Sequence, residues 1–365
     1  MADDASIPPR IREHLARLYP TLRAVACEPL APDAGEEHAT TKAAGYGEPM
    51  RIALAGDGGE VREVVWHVAG GDEFGHERRS DRVANLLLAS EDFARVPEHA
   101  AALDVGVIGP DGAPRSLLGC GEPYLLTDYV RGTIYADDLR RVARERTVTP
   151  LDLARVDALA RYLVRLHTPI DDPVRYRRAI RDLVGHGEGI FGIVDGYPAE
   201  VEGTSQEQLR AIERKCADWR WRLRLHEGRL VRTHGDFHPF NVVFRDGTGF
   251  AVLDASRGTC GDAADDVTAM AINYVLFALD APEAWRNGLG VLWRELWGVY
   301  TRERGGDPSL AACAPPFFAW RALVVCNPHF YPALSAPGRR ALLGLAEGAL
   351  DAGHFDPAWA DELFA

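Results

Sequence analysis

The chain places an acid, an amide and a second acid in an order that suits the transfer of a phosphoryl group. The segment Thr233-His234-Gly235-Asp236-Phe237-His238-Pro239-Phe240-Asn241 is followed by an apolar run and then by Leu253-Asp254. In that chemistry one Asp accepts the proton of a substrate hydroxyl, an Asn five residues on binds a metal ion, and a further Asp binds the same metal. Pro239 rules out a helix through the loop. Val242-Val243-Phe244 and Phe250-Ala251-Val252-Leu253 read as two short strands, and Arg245-Asp246-Gly247-Thr248-Gly249 between them supplies turn chemistry. Such a hairpin returns Asp254 to Asn241, so that Asp236, Asn241 and Asp254 meet at one spot.

Electrostatics says what that spot needs. Two carboxylates about 4 Å apart at an effective dielectric of about 20 repel by roughly 4 kcal/mol. A triphosphate adds more negative charge, so the cluster calls for hard cations. Oxygen ligands on a partly hydrated ion that bridges phosphates describe Mg²⁺. Any one of these residues alone more often caps a helix or folds a turn. The ordered triple, with a hairpin inside it, points to catalysis.

The run from His234 to Asn241, then Leu253-Asp254, then Gly261-Asp262-Ala263-Ala264-Asp265-Asp266-Val267, resembles the aminoglycoside phosphotransferase family. That family is a branch of the protein-kinase-like superfamily that also holds choline, homoserine, fructosamine and macrolide kinases. The resemblance implies an α+β, protein-kinase-like two-lobe fold. A small N-terminal antiparallel sheet plus helix would precede a larger, mainly helical C-terminal lobe. It also implies ATP and Mg²⁺ as cofactors and a small-molecule hydroxyl as acceptor. Asp236 would be the catalytic residue and Asn241 and Asp254 the metal ligands. The Asp266 carboxylate would open a helix and brace the catalytic loop from behind, while Asp262 or Asp265 reads equally as a helix N-cap. The chain departs from the family after the metal Asp. An aromatic residue is usual there, and Ala255-Ser256-Arg257 follows instead.

At 365 residues the chain is long enough for two lobes. The expected division is 1–128 for a nucleotide-binding lobe and 129–365 for a catalytic and substrate-binding lobe. No run of 18 apolar residues stands out, which argues against a membrane span, and the acidic start Met1-Ala2-Asp3-Asp4 lacks the apolar core of a secretory signal. Six scattered cysteines without a Cys-x-x-Cys pair read as thiols in a reducing cytoplasm. A net charge of −13 argues against a nucleic-acid surface. Monomer and homodimer both stay open.

In the first lobe a helix is expected over 11–18 and strands over 24–30, 50–55 and 61–68. Gly56-Asp57-Gly58-Gly59 reads as the hairpin between the last two. Gly45 and Gly47 could let backbone N–H groups approach phosphate. An amphipathic helix over 74–88 would carry Glu77, which in the kinase-like pattern pairs with a phosphate-binding Lys. That Lys is missing: His67 stands where it is expected, and Lys42 is another candidate. Strands are expected over 103–108 and 124–130. By resemblance the second ends at the hinge, where backbone groups around Asp128 and Val130 would hold the adenine edge.

Helical patterns dominate from Ala136, over 136–145, 152–167 and 206–226. His167 reads as a satisfied helix-end histidine. The glycine-rich stretch 176–203 is either a substrate-binding insertion or a flexible connector. The aromatic C-terminal region is mostly core, with Arg321 and Asn327-Pro328-His329 as polar groups beside a possible acceptor pocket. The expected activity is ATP-dependent phosphorylation of a hydroxyl on an aminoglycoside-like antibiotic, an amino alcohol or a sugar-type metabolite, with GTP in place of ATP left open. The rival, motivated by His67, is a weak or inactive nucleotide-binding regulatory protein.

Overall fold

Alternating buried and exposed side chains build the first sheet. The structure is a computed structural model and describes residues 7–30, 49–255 and 257–365. The chain divides into two compact units, Met1–Leu126 and Thr127–Ala365. In the first, α1 (Pro9–Leu18) leads into β1 (Leu22–Pro29), β2 (Met50–Gly56) and β3 (Val61–Trp66), an antiparallel sheet in the order β1-β2-β3. The β2–β3 hairpin closes through Gly56 N–H on the Glu60 carbonyl at 2.8 Å, with Gly59 at φ 81° supplying the left-handed turn residue. Leu15 of α1 packs with Leu22, Ile52, Leu54 and Val64 of the sheet to form a small core. Then come α2 (Arg79–Asp92) and the short pair β4 (Gly106–Ile108) and β5 (Pro114–Ser116).

The second unit begins with β6 (Thr133–Ile134), α3 (Tyr135–Glu145), α4 (Pro150–Leu166), α5 (Pro173–Gly185), α6 (Ile190–Asp195) and α7 (Gln206–Leu223). Strands β7 (Leu230–Arg232), β8 (Val242–Phe244), β9 (Phe250–Val252) and β10 (Cys260–Asp262) follow. The chain then runs through α8 (Ala263–Leu279), α9 (Gly290–Glu303), α10 (Pro308–Cys326), α11 (Ala336–Ala352) and α12 (Trp359–Glu362). Side-chain oxygens of Thr149, Asp172, Ser205, Asp262, Asp307 and Ser335 accept backbone N–H groups at the starts of α4, α5, α7, α8, α10 and α11. Two small antiparallel sheets, β6-β8-β9 and β10-β7, lie among these helices. At the entry to β6, Gly132 has φ 153°, and a Cβ there would come within 2.3 Å of the Phe244 carbonyl, so this close crossing requires glycine.

The core of this unit is aromatic, with Trp293, Tyr135, Tyr176, Tyr274, Tyr300 and Phe318 fully buried. Its central helix, α10, is long and apolar enough to cross a membrane, yet most of it is buried inside the protein. Ser309 and Arg321 interrupt its apolar sequence, and α10 is a core helix, apolar because α8 and α11 pack on it. Pro315 and Pro316 lie inside it. Pro315 has no N–H for the Ala311 carbonyl, and that carbonyl accepts the Phe355 N–H at 2.8 Å instead.

Three further expectations change. Residues 124–130 form no strand; Tyr124, Leu125, Leu126 and Tyr129 are all exposed, and no described strand pairs with them. Much of the stretch 176–203 is helical, because Tyr176, Ile180 and Leu183 bury their side chains at helical spacing on α5, and Ile190 and Ile193 do so on α6. Helix α2 starts at Arg79 rather than near Phe74, since Gly75 has φ 100° and the Asp81 carboxylate accepts the Arg78 N–H at 2.8 Å, closing the N-terminus there.

Arg229 and Asp262 form a two-pronged ion pair, both N–H···O distances 2.8 Å, with the Asp262 side chain wholly buried. Tyr176 and the Ala264 N–H complete the acid's partners. Removing one member of such a pair strands the other charge. Arg229→Ala should therefore lower unfolding stability by about 3–5 kcal/mol in denaturant titration; an unchanged midpoint would contradict this.

Candidate active site

The loop between β7 and β8 is held from three directions. From behind, Asp266 in the first turn of α8 accepts the His234 N–H at 2.7 Å on one oxygen and the Gly235 N–H at 2.8 Å on the other. His167, at the C-terminal end of α4, contacts the same carboxylate through Nε2 at 3.2 Å, and its Nδ1 pairs with the Tyr300 hydroxyl at 2.7 Å. All of this is buried. Phe237 anchors the loop in the core, its ring stacked on Tyr162 of α4 at 5.6 Å. His234 Nδ1 accepts the Asp236 N–H at 3.3 Å. The bracing role expected of Asp266, the capping role of Asp262 and the satisfied helix-end His167 all match this geometry.

The hairpin forms as its sequence suggests. Val242 pairs with Val252 and Phe244 with Phe250. Its tip is fixed to α4 by Arg155, whose Nε donates to the Gly247 carbonyl at 2.9 Å while its guanidinium lies 4.4 Å from the Phe244 ring centre. At the other end the Leu253 N–H reaches the Asn241 carbonyl at 2.8 Å, which brings the backbone next to Asp254 against Asn241. Asn241 turns its amide nitrogen to the Asp236 carbonyl at 3.1 Å. Three residues of the motif are thus drawn together by backbone and loop hydrogen bonds.

Asp254 has φ 51°, a left-handed conformation that non-glycine residues seldom adopt and that collects at functional positions. It is exposed, and its carboxylate has no hydrogen-bond or ion-pair partner among the described residues. The Asn241 amide oxygen likewise has no partner there. These two oxygen donors fit Mg²⁺, an ion held by one or two carboxylates together with phosphate oxygens and water. Among the described residues no group of three His, Cys, Asp or Glu side chains converges in a way that could hold a metal by itself.

Asp236 has company that sequence reasoning did not assign. Arg257 Nη1 donates to its Oδ1 at 2.6 Å and Arg321 Nη1 to the same oxygen at 2.8 Å, while His238 Nε2 lies 3.4 Å from Oδ2. Burial by itself would raise the acid's pKa. The His238 hydrogen bond and the charges of Arg321 and Arg257 outweigh it and hold the carboxyl well below its ordinary range. Arg321 also pairs with Asp265 at 2.5 Å. Burial first, and Asp266 second, push the Asp265 carboxyl up to about 6 against that pull. Arg321 was read as a polar group near an acceptor pocket. Its more direct signal was a lone guanidinium in the apolar helix α10, where a buried charge demands a partner. Nothing in the spacing of Arg257, Glu188 or Trp320 pointed to Asp236.

The N-terminal positions stand apart from this picture. Gly45, Gly47 and the alternative Lys42 lie outside the described residues. His67 was expected inside a strand; β3 ends at Trp66, and His67 follows it, exposed. Glu77 was expected on the helix and lies two residues before α2. Asp128 and Val130 fall in the strandless segment, Asp128 exposed and Val130 half-buried.

A sequence profile of the phosphotransferase enzyme family matches residues 78–305, well over half of the chain. The chain belongs to that family of phosphotransferase enzymes. No curated protein matches it. Among solved structures it is similar to a glucosamine kinase (crystal form B), at 18% identity and TM-score 0.40, over 96% of this chain and 97% of that one. An ADP-bound aminoglycoside phosphotransferase, APH(2'')-Ib, aligns at 13% identity and TM-score 0.33, over 96% of this chain and 100% of that one. A choline/ethanolamine kinase family protein from Mesorhizobium loti aligns at 18% identity and TM-score 0.31, over 77% of each chain.

Gly235 tests the loop geometry. It has φ 84°, and a Cβ on it would lie 2.8 Å from the Gly258 carbonyl. Gly235→Ala should cost about 1–2 kcal/mol from the left-handed backbone alone and should lower turnover at least about ten-fold by displacing Asp236. Thermal unfolding and steady-state rates check the two effects, and wild-type values in both would contradict the assignment.

Proposed function

We propose that this enzyme transfers the γ-phosphoryl group of ATP to a hydroxyl group of a small molecule, with Mg²⁺ held by Asn241 and Asp254. The observation that carries the reading is the convergence at one loop. Asp236 is fixed by a buried brace, Asn241 is bonded to it, and Asp254 is returned to Asn241 by the hairpin.

Burial would raise the Asp236 carboxyl, but His238, Arg321 and Arg257 outweigh it and hold the group below its ordinary range, in its charged form. It is therefore a weak base. Its task is to accept a hydrogen bond from the acceptor hydroxyl, aim that oxygen at the γ-phosphorus, and take the proton late, when the bond to phosphorus is largely formed. Phosphoryl transfer passes through a loose transition state in which placement and charge neutralisation supply most of the acceleration. A bound Mg²⁺ would contribute that neutralisation at the phosphate oxygens. His234 shapes the loop through its contact with the Asp236 N–H, and Asp266 fixes the backbone on which both stand. The N-terminal unit is proposed to hold the nucleotide. Similar solved structures hold ADP in one case and AMP-PNP with Ca²⁺ in another, in keeping with a nucleotide and a divalent ion.

The test incubates purified protein with ATP and Mg²⁺ against a panel of amino sugars, aminoglycosides, amino alcohols and hydroxy amino acids, following ADP release and the phosphorylated product. At least one acceptor should stimulate turnover, and Asp236→Asn should lower that rate by at least about a hundred-fold with the fold retained. An Asp236→Asn enzyme working at the wild-type rate would remove the assignment. Nucleotide binding with no turnover on any acceptor would favour a regulatory protein instead. Asn241→Ala and Asp254→Ala should each raise the Mg²⁺ concentration needed for half-maximal rate. An unchanged Mg²⁺ requirement in both would deny them the metal.

A further inference from the structure

Arg257 and Arg321 donate to the same oxygen of Asp236 and differ in nearly everything else. Arg321 rises from α10 with a side chain only 6% exposed, and it also bonds Asp265 at 2.5 Å and the Gly235 carbonyl at 3.2 Å. Arg257 comes from the segment just after Asp254 and is 26% exposed. Its Nε donates to Glu188 Oε2 at 2.9 Å, and that Glu188 side chain is 58% exposed. Trp320 lies under both guanidinium groups, its ring centre 3.9 Å from Arg321 and 5.2 Å from Arg257. Its indole N–H donates to the Glu188 backbone carbonyl at 2.9 Å, which fixes the base of the tether that holds Arg257. One counterion is built into the core; the other is within reach of solvent.

A carboxylate oxygen offers about two lone-pair positions. On Oδ1 both are taken by guanidinium N–H groups, and Oδ2 faces His238. An acceptor hydroxyl approaching Oδ1 must displace one of the two donors, and Arg257, the more exposed and otherwise tied to an exposed Glu188, is the one with fewer buried contacts to break. We propose that Arg257 is a positioning residue that occupies the hydroxyl-accepting place on Oδ1 of Asp236 until the acceptor displaces it, and so keeps water from using that oxygen. This inference rests on the reading of Asp236 as the group that receives the acceptor hydroxyl.

Without Arg257 a water molecule takes the vacant place. Its oxygen bonds to the γ-phosphorus of ATP, and the bond from that phosphorus to the β,γ-bridging oxygen breaks with its electrons left on ADP. The water's proton passes to the Asp236 carboxylate and on to solvent, giving ADP and inorganic phosphate. The specific feature of this chain that makes the guard available is its departure after Leu253-Asp254, where the loop carries an arginine back to the acid. That loop is pinned on its far side by the Thr233 N–H on the Thr259 carbonyl at 3.2 Å.

The experiment measures ADP release from MgATP with no acceptor present. It uses the wild-type chain, Arg257→Ala, Arg257→Lys, Glu188→Gln and the double variant Arg257→Ala/Asp236→Asn, with thermal unfolding run on each. Arg257→Ala should release ADP at least about ten-fold faster than wild type, the scale of a lost charge-assisted hydrogen bond. Glu188→Gln, which loosens only the tether, should rise by less, and Arg257→Lys should stay nearer wild type. The double variant should fall to the wild-type level or below. A merely structural arginine would leave the rate unchanged or lower it. Unchanged or slower hydrolysis in both Arg257→Ala and Glu188→Gln, in folded proteins, overturns the inference and leaves the role of Asp236 intact. A double variant as fast as Arg257→Ala overturns the reading of Asp236 and this inference with it.

Discussion

Two backbone N–H groups on one buried carboxylate hold the rest of the site in place. Asp266 takes the His234 and Gly235 amides on its two oxygens, one each, at the point where the chain must turn to present Asp236. A buried carboxylate is costly unless its lone pairs are filled, and here two amides and His167 fill them. Tyr300 on α9 holds His167 in turn, so the turn is tied to α4, α8 and α9 at once. Because Asp266 sits in the first turn of α8, its charge also lies at the favourable end of that helix. Movement of the loop would strand a charge, which is why the motif behind it can be both irregular in backbone and fixed in place.

The charges around Asp236 follow from the same logic. A reacting carboxylate placed among other acids would be pushed towards its neutral form, in which it could not accept a hydroxyl proton. The chain answers with Arg321, a guanidinium delivered by the apolar core helix α10 and held between Asp236 and Asp265. Trp320, its neighbour on α10, gives that charge an aromatic face at 3.9 Å. The hairpin performs the matching service for Asn241 and Asp254, the proposed metal ligands, since β8 and β9 are short, paired residue by residue, and clamped at the tip by Arg155.

What could be read from the sequence was what chain neighbours decide. The Asp236, Asn241 and Asp254 spacing, the hairpin between the last two, and the two-unit layout with a small antiparallel sheet first all depend on local pattern. The family profile agrees with the resemblance carried by residues 234–266. Contacts set by distant packing were not legible. Arg321 and Glu188 come to the site from 85 and 48 positions away along the chain, and only tertiary structure puts them there. Residues 124–130 carry a strand-like pattern but find no described partner strand, and pattern without a partner is not a strand. The glycines of 176–203 left a substrate-binding insertion and a flexible connector both open, and burial of Tyr176, Ile180 and Ile190 gives helices where a loose connector would have none. Glu77 was misplaced for a more local reason: Asp81 caps the helix one turn later than its apolar period suggests.

The account depends above all on the Asp266 brace, and amide hydrogen exchange at His234 and Gly235 tests it most directly. Both N–H groups should exchange as slowly as amides in the middle of α8, and both should lose that protection in Asp266→Ala while α8 itself stays protected. Fast exchange at either residue in the wild-type chain would contradict the account, because the loop that carries Asp236 would then be held by something else.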